Sequence, residues 1–292
     1  MRLGIFAKTF PRPSLEGVLD AVVGYDLYET QFNMSVAGLP SMPAEIDPPL
    51  ADRVREAAAE RNVTLAAVSG TFNMAHPDEG VRRDGLHRLG VIAGACQRLG
   101  TSVITLCTGT RDRYNMWRRH PDNGTPEAWR DMLATMQEAL QKAEEHGITL
   151  AFEPETGNVV DSAQKGRRLL NEMRSPCLKV VMDAANLFDS EDPQRSLSCS
   201  ERVLAEAFEC LGNDLVLAHA KDVRTSGVIV AAGRGDLDYD LYLEHLLGAG
   251  YRGPLILHGL GEEEVEESVT FLRRKLVGTS FGRVGTVGEA GR

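Results

Sequence analysis

The chain has 292 residues, of which 42% are hydrophobic and 25% charged, a composition typical of a globular protein with one large domain or two small ones. Its formal net charge of −10 disfavours nucleic acid or an anionic membrane surface as the main partner. We therefore expect no nucleic-acid partner and no membrane partner.

The cysteines favour a reducing environment. They are widely spaced and include no CxxC pair, so neither a disulfide framework nor a cysteine zinc site is expected; the five are Cys96, Cys107, Cys177, Cys199 and Cys210. The first apolar run is interrupted at Lys8, and no stretch reaches ~18 consecutive apolar residues. We expect neither export nor a membrane span, and a cytoplasmic location.

Short β-rich apolar runs alternate with longer segments of helical periodicity along the chain. The runs predict eight strands, at residues 3–7, 27–30, 65–68, 103–106, 148–152, 179–182, 215–218 and 255–257. Because these runs lack polar alternation, the strands should be buried on both faces and paired in parallel. Eight strand-helix units in this length predict a single (β/α)8 TIM barrel.

The segment 126–146 illustrates the predicted helices. Thr125 can cap it, Pro126 occupies the first helical position, apolar residues recur at three and four positions, and Gly147 ends it. The runner-up fold is an open doubly wound sheet, but the Gly-rich stretch 233–238 lacks the third glycine of a dinucleotide-binding loop. We predict one barrel domain at residues 1–277 and a Gly-rich C-terminal tail at 278–292.

Four polar residues stand at the carboxyl ends of the last four predicted strands: Glu153, Asp183, His219 and His258. Reactive groups collect at that end of such barrels. Two carboxylates and two imidazoles are costly to bury together, and a divalent cation removes that cost. The mixed donors suit manganese first, then cobalt, zinc or iron, while magnesium usually takes more oxygen ligands. We therefore predict one divalent metal ion.

Each of these residues also has a structural interpretation. Asp183 could cap the turn to Asn186, and Glu153 could pair with Lys221. His219 could be a buried histidine satisfied by a backbone group.

Several segments together resemble the xylose isomerase-like barrel superfamily, specifically its sugar phosphate isomerase/epimerase branch. They are AFEPETGN, VVMDAANLF, AHAKD, AAGRGDLDYD and GYRGPLILHGL. The resemblance runs from LGIFAKTF to the predicted helix at 262–276, and it implies that Glu153, Asp183 and His219 are metal ligands. Epimerases of this family usually carry a glutamate at the end of the last strand, where this chain has His258. A nitrogen that binds metal is not free to take a proton, so the proton chemistry stays open.

The resemblance implies an enzyme of carbohydrate metabolism that isomerises or epimerises a small sugar, keto-sugar or sugar phosphate through a metal-stabilised enediolate. Glu153 or Glu155 would remove the proton, and His258 or Lys221 would return it from the other face. Return to the same face would interconvert aldose and ketose, and loss of a β-hydroxyl would make the protein a dehydratase. A non-catalytic sugar-binding barrel is a further alternative, whereas the net charge fits a DNA repair nuclease poorly.

Other residues are candidates for binding the carbohydrate substrate. Lys221 shares the direction of His219 along its strand, and Asn186 follows Asp183 by three positions. The remaining candidates are His76, Trp117 and Arg224. The long loop 109–120, with four arginines and two aromatic residues, could cover a sugar or could be a contact in a homo-oligomer.

Overall fold

Eight parallel strands close into a barrel in the computed structural model, which describes residues 1–282. The strands of these residues are β1 (Arg2–Phe6), β2 (Glu29–Phe32), β3 (Thr64–Ser69), β4 (Val103–Cys107), β5 (Thr149–Glu153), β6 (Leu178–Asp183), β7 (Leu215–Val223), β8 (Ile229–Ala231) and β9 (Pro254–Leu257). Each barrel strand pairs with the next in parallel, and β9 pairs with both β7 and β1. The short β8 lies outside this ring as an antiparallel partner of β7. The predicted (β/α)8 TIM barrel is confirmed.

Eight α-helices within residues 1–282 surround the strands. They are α1 (Leu15–Gly24), α2 (Pro48–Glu60), α3 (Glu79–Leu99), α4 (Pro126–His146), α5 (Ala163–Met173), α6 (Ser200–Leu211), α7 (Tyr239–Gly248) and α8 (Val265–Gly282). The predicted ends of α4 are confirmed, because the Thr125 side chain accepts a hydrogen bond from the Ala128 N–H and Gly147 adopts a left-handed φ of 64°. None of the helices in these residues combines the length and apolar character needed to cross a membrane.

The barrel has two apolar regions. A small cluster fills the interior of the ring, and its fully buried members are Ala67, Ala151, Val181, Leu217 and Ile256. A larger core lies between the strands and the helices. Gly4 of β1 is required by this packing, because a Cβ there would lie 2.6 Å from the Ile256 side chain. The packed interior leaves the strand ends to carry polar groups.

The C-terminal helix extends beyond the predicted end of the barrel domain. Helix α8 continues to Gly282, so the predicted boundary between 277 and 278 falls within it. Residues 283–292 of the predicted tail lie outside the described residues. The division into barrel and tail stays a prediction.

Candidate metal centre and active site

Three neighbouring strands bring two carboxylates and an imidazole together at the carboxyl end of the barrel. Glu153 and Asp183 are the last residues of β5 and β6, and His219 pairs directly with Asp183 across β6 and β7. All three side chains are buried, and one potential ligand atom of each lies within 4.8 Å of the others. Strand register therefore assembles three of the four predicted ligands into one cluster.

The ring orientation of His219 is set by Gln31 of β2. The imidazole Nε2 lies 2.8 Å from Gln31 Oε1, while Gln31 Nε2 donates to Thr105 Oγ1 at 3.2 Å. Nε2 is therefore the donor, and Nδ1 faces Glu153 Oε2 at 3.2 Å and Asp183 Oδ2 at 3.4 Å. Nδ1 makes no well-directed hydrogen bond. This arrangement is the one found where a second partner orients a metal-binding histidine.

The remaining carboxylate oxygens are held by neighbouring polar groups. Glu153 Oε1 accepts hydrogen bonds from Asn186 Nδ2 at 2.5 Å and from Lys221 Nζ at 3.3 Å. Asp183 Oδ1 accepts from the Ala185 N–H at 3.1 Å, and its Oδ2 is ion-paired with Lys221 at 2.9 Å. The turn cap and the Glu153–Lys221 pair considered from the sequence are both present, within the same cluster as the proposed ligands.

The charges of this cluster shift its pKa values in opposite directions. Burial alone would lower the pKa of His219, but the carboxylates of Glu153 and Asp183 outweigh it and raise that pKa to about 9. Burial would raise the pKa of Asp183, but Lys221 and His219 hold it well below its ordinary value. The same carboxylates raise the pKa of Lys221 despite its burial. Without a metal ion, two carboxylates are thus balanced by an ammonium and an imidazolium.

Glu155 lies beside this cluster in a different protonation state. Burial, followed by the charge of Glu153, raises the pKa of the Glu155 carboxyl to about 8. The side chain is only partly exposed. Glu155 therefore carries a proton at neutral pH when no cation is present.

His258 stands immediately after β9 and is stacked between two rings. Its ring centroid lies 4.9 Å from that of Phe6 and 4.8 Å from that of His219, with interplanar angles of 15° and 16°. Its Nδ1 is buried without a hydrogen-bond partner among the described residues. Burial, together with the charges of Lys221 and His219, lowers the pKa of His258 well below its ordinary value. The three-residue cluster does not include His258, so its role as a fourth ligand stays a prediction.

The donor set of the cluster fits a divalent cation. Glu153 and Asp183 supply oxygen, and the unpartnered Nδ1 of His219 supplies nitrogen toward the same space. Such a mixed set is common to zinc, manganese, iron and cobalt sites, and three protein ligands leave positions open for other ligands.

The other predicted substrate-binding residues lie outside this cluster. His76 is buried, its Nδ1 accepts from the Asp78 N–H at 3.0 Å, and its Nε2 lies 3.3 Å from Arg113 O. Trp117 is 54% exposed on the loop after β4, and Arg224 is exposed directly after β7. Their contacts with substrate stay predictions.

Gln31 was not identified as a site residue from the sequence. All residues of β2 are buried, and Gln31 is polar. A buried polar side chain normally has a hydrogen-bond partner, and this expectation could have pointed to Gln31.

Comparison with known proteins agrees with this architecture. L-ribulose-5-phosphate 3-epimerase UlaE of Salmonella typhi is 26% identical over 265 residues, covering 87% of this chain and 86% of the relative. The crystal structure of a D-tagatose 3-epimerase-like protein has a TM-score of 0.75 at 14% identity, covering 97% of this chain and 99% of the other. A zinc-bound structure of the IOLI protein has a TM-score of 0.69 at 14% identity, covering 96% and 98%.

A family model matches most of the chain. Residues 21–275 fit the model described as xylose isomerase-like TIM barrel. This chain belongs to the xylose isomerase-like TIM barrel family.

Proposed function

We propose that this protein is a divalent-metal-dependent isomerase or epimerase of a small keto-sugar or sugar phosphate. The observation that carries the proposal is the buried cluster of Glu153, Asp183 and His219, whose ligand atoms converge at the carboxyl end of the barrel. The relatives support the substrate class, since they are named as an L-ribulose-5-phosphate 3-epimerase and a D-tagatose 3-epimerase-like protein.

The proposed ligands are Glu153, Asp183 and His219. A bound divalent ion supplies the positive charge that stabilises an enediolate oxyanion when the carbon next to a carbonyl loses its proton. Manganese is our first choice of ion, and the zinc-bound relative supports a divalent metal without fixing which one.

We assign removal of that proton to Glu155. Both oxygens of Glu153 face other groups of the cluster, namely Asn186 and Lys221 at Oε1 and His219 at Oε2. Glu155 has no such contact in the described residues and lies close enough to Glu153 for their charges to interact. A cation in the cluster lowers the pKa of a neighbouring carboxyl and so favours its basic form.

His258 and Lys221 are the groups proposed to act on the other side of the substrate. Lys221 lies in β7 and His258 directly follows β9, and these two strands come after β5 and β6 around the ring. Return of the proton to the same carbon from that side gives an epimer. Its return by Glu155 to the former carbonyl carbon, with a proton moving between the two enediolate oxygens, interconverts ketose and aldose. Loss of a β-hydroxyl from the same enediolate is the dehydratase alternative.

Solvent exchange tests the shared first step of all three reactions. The Mn²⁺-loaded protein is incubated in D2O with L-ribulose 5-phosphate, D-tagatose and other ketopentoses and ketohexoses, and deuterium at the carbon next to the carbonyl is measured by NMR. We expect exchange with at least one ketose. We expect Glu155→Gln to keep Mn²⁺ and lose at least 100-fold in exchange rate, and Glu153→Gln to lose both.

The alternatives give different outcomes. A dehydratase releases a dehydrated keto product that accumulates with the exchange. A sugar-binding barrel gains thermal stability from Mn²⁺ and ketose without any exchange, and that result contradicts an enzymatic role.

A further inference from the structure

The ammonium of Lys221 contacts both carboxylates of the proposed metal site, and at Asp183 it contacts the same oxygen that faces His219 Nδ1. Its Nζ lies 2.9 Å from Asp183 Oδ2 and 3.3 Å from Glu153 Oε1. Asp183 Oδ2 also lies 3.4 Å from His219 Nδ1, and the other Asp183 oxygen already accepts a hydrogen bond from the backbone N–H of Ala185. A cation that binds Asp183 at Oδ2 therefore meets the ammonium at the same atom.

The backbone of Lys221 is held in place by hydrogen bonds, whereas its side chain is flexible. Its carbonyl accepts a hydrogen bond from the Tyr239 hydroxyl at 2.7 Å, and its backbone pairs with Ala231 of β8. Its methylene stem runs along Gly259, where an added Cβ would lie 3.3 Å from the lysine Cδ. Because Gly259 carries no side chain, the stem can pack directly against it. Rotation about the four side-chain torsions of Lys221 changes the position of the ammonium without moving β7.

The charge balance explains why an ammonium is present there. Lys221 is only 9% exposed, and the two carboxylates it contacts are 7% and 1% exposed. Buried carboxylates without a counter-charge are strongly destabilising, so a metal-free cluster needs this cation to stay assembled. Once a divalent ion neutralises the same carboxylates, the ammonium becomes a like charge at short distance.

We propose that Lys221 is an internal competitor of the metal ion: its ammonium holds Glu153 and Asp183 in the metal-free protein and is displaced from them when a divalent cation binds. Lys221 thereby sets the metal affinity of the site and keeps its ligands assembled before metal arrives. The inference rests on the metal site of the proposed function.

Calorimetric titration with Mn²⁺ tests it. Lys221→Met removes the charge and keeps most of the stem, Lys221→Arg keeps the charge, and Lys179→Met is a matched control. Lys179 forms a half-buried ion pair with Asp214 at 2.8 Å, outside the cluster. We expect Lys221→Met to bind Mn²⁺ at least about tenfold more tightly than the wild type, and the arginine and control variants to stay within about threefold.

Melting temperatures of the metal-free proteins give a second readout. Lys221→Met should melt at a lower temperature than both the wild type and Lys179→Met, and Mn²⁺ should restore the loss. If Lys221→Met does not fold without metal, Lys221→Gln, which retains a hydrogen-bond donor, is titrated in its place.

The outcomes separate the two proposals. Unchanged or weaker Mn²⁺ binding by both uncharged variants, with normal binding by the wild type, overturns the competition and leaves the metal site intact. If neither the wild type nor any variant binds Mn²⁺, the metal site of the proposed function fails and the competition fails with it.

Discussion

Metal binding should displace one proton from His219. In the metal-free protein the pKa of this imidazole is raised to about 9, because Glu153 and Asp183 outweigh the effect of burial. A metal ion binds only the deprotonated Nδ1. At pH 7, two units below this pKa, Nδ1 is deprotonated in only about 1% of molecules. The cost is about 3 kcal/mol, on the order of 100-fold in apparent affinity. Affinity should therefore rise about tenfold per pH unit from pH 6 to pH 8.

Calorimetry in buffers of different ionisation enthalpy measures this proton directly. We expect about one proton released per Mn²⁺ at pH 7. Glu155, whose pKa is raised to about 8, is the other group that could lose a proton on metal binding. The Glu155→Gln variant removes that contribution, and about one proton should still be released. If Mn²⁺ binding by this variant does not depend on pH, Nδ1 is not a ligand that loses a proton when the metal binds.

Three further predictions follow from the same contacts. The raised pKa of His219 contributes stability to the metal-free fold, which is fully present below about pH 6.5 and is lost as the pH rises through 9. The free energy of unfolding measured by urea denaturation should therefore decrease over this range by an amount approaching about 3 kcal/mol, and His219→Gln should not show this decrease. His258→Ala should bind Mn²⁺ within about threefold of the wild type, since the ring lies against His219 outside the ligand cluster; a loss above tenfold would make it the fourth ligand. Gln31→Leu should weaken Mn²⁺ binding by about tenfold or more, because Nε2 of His219 loses its acceptor; unchanged binding would remove Gln31 from the site.

The ring of strands could be predicted because its signal is local. Each buried strand is a short apolar run bounded by turns and helices, and all eight predicted runs overlap strands of the barrel. The predicted 27–30 is offset from the observed Glu29–Phe32, since the polar residues of β2 conceal its end. The hairpin strand β8 was missed because only three residues form it and its first residue is exposed.

The site could be predicted only in part. Parallel strands place their carboxyl ends at one rim, so the positions of Glu153, Asp183 and His219 followed from chain order alone. The contact of His219 with Gln31 joins residues 188 positions apart and depends on strand register. The stacking of His258 between Phe6 and His219 depends on the side-chain rotamers of three residues that are far apart in the sequence. Such facts have no periodic signature in the sequence.

The charges of the site bear on which group returns the proton. His258 is neutral, because burial and the charges of Lys221 and His219 keep its pKa well below the ordinary value, and a nearby metal ion would lower it further. A neutral imidazole is a poor proton donor at neutral pH. Lys221, once displaced from the carboxylates, is a charged donor whose stem already lies along Gly259, the neighbour of His258. We therefore propose Lys221, and not His258, as the proton donor on this side, since Phe6 and His219 already cover both faces of the His258 ring.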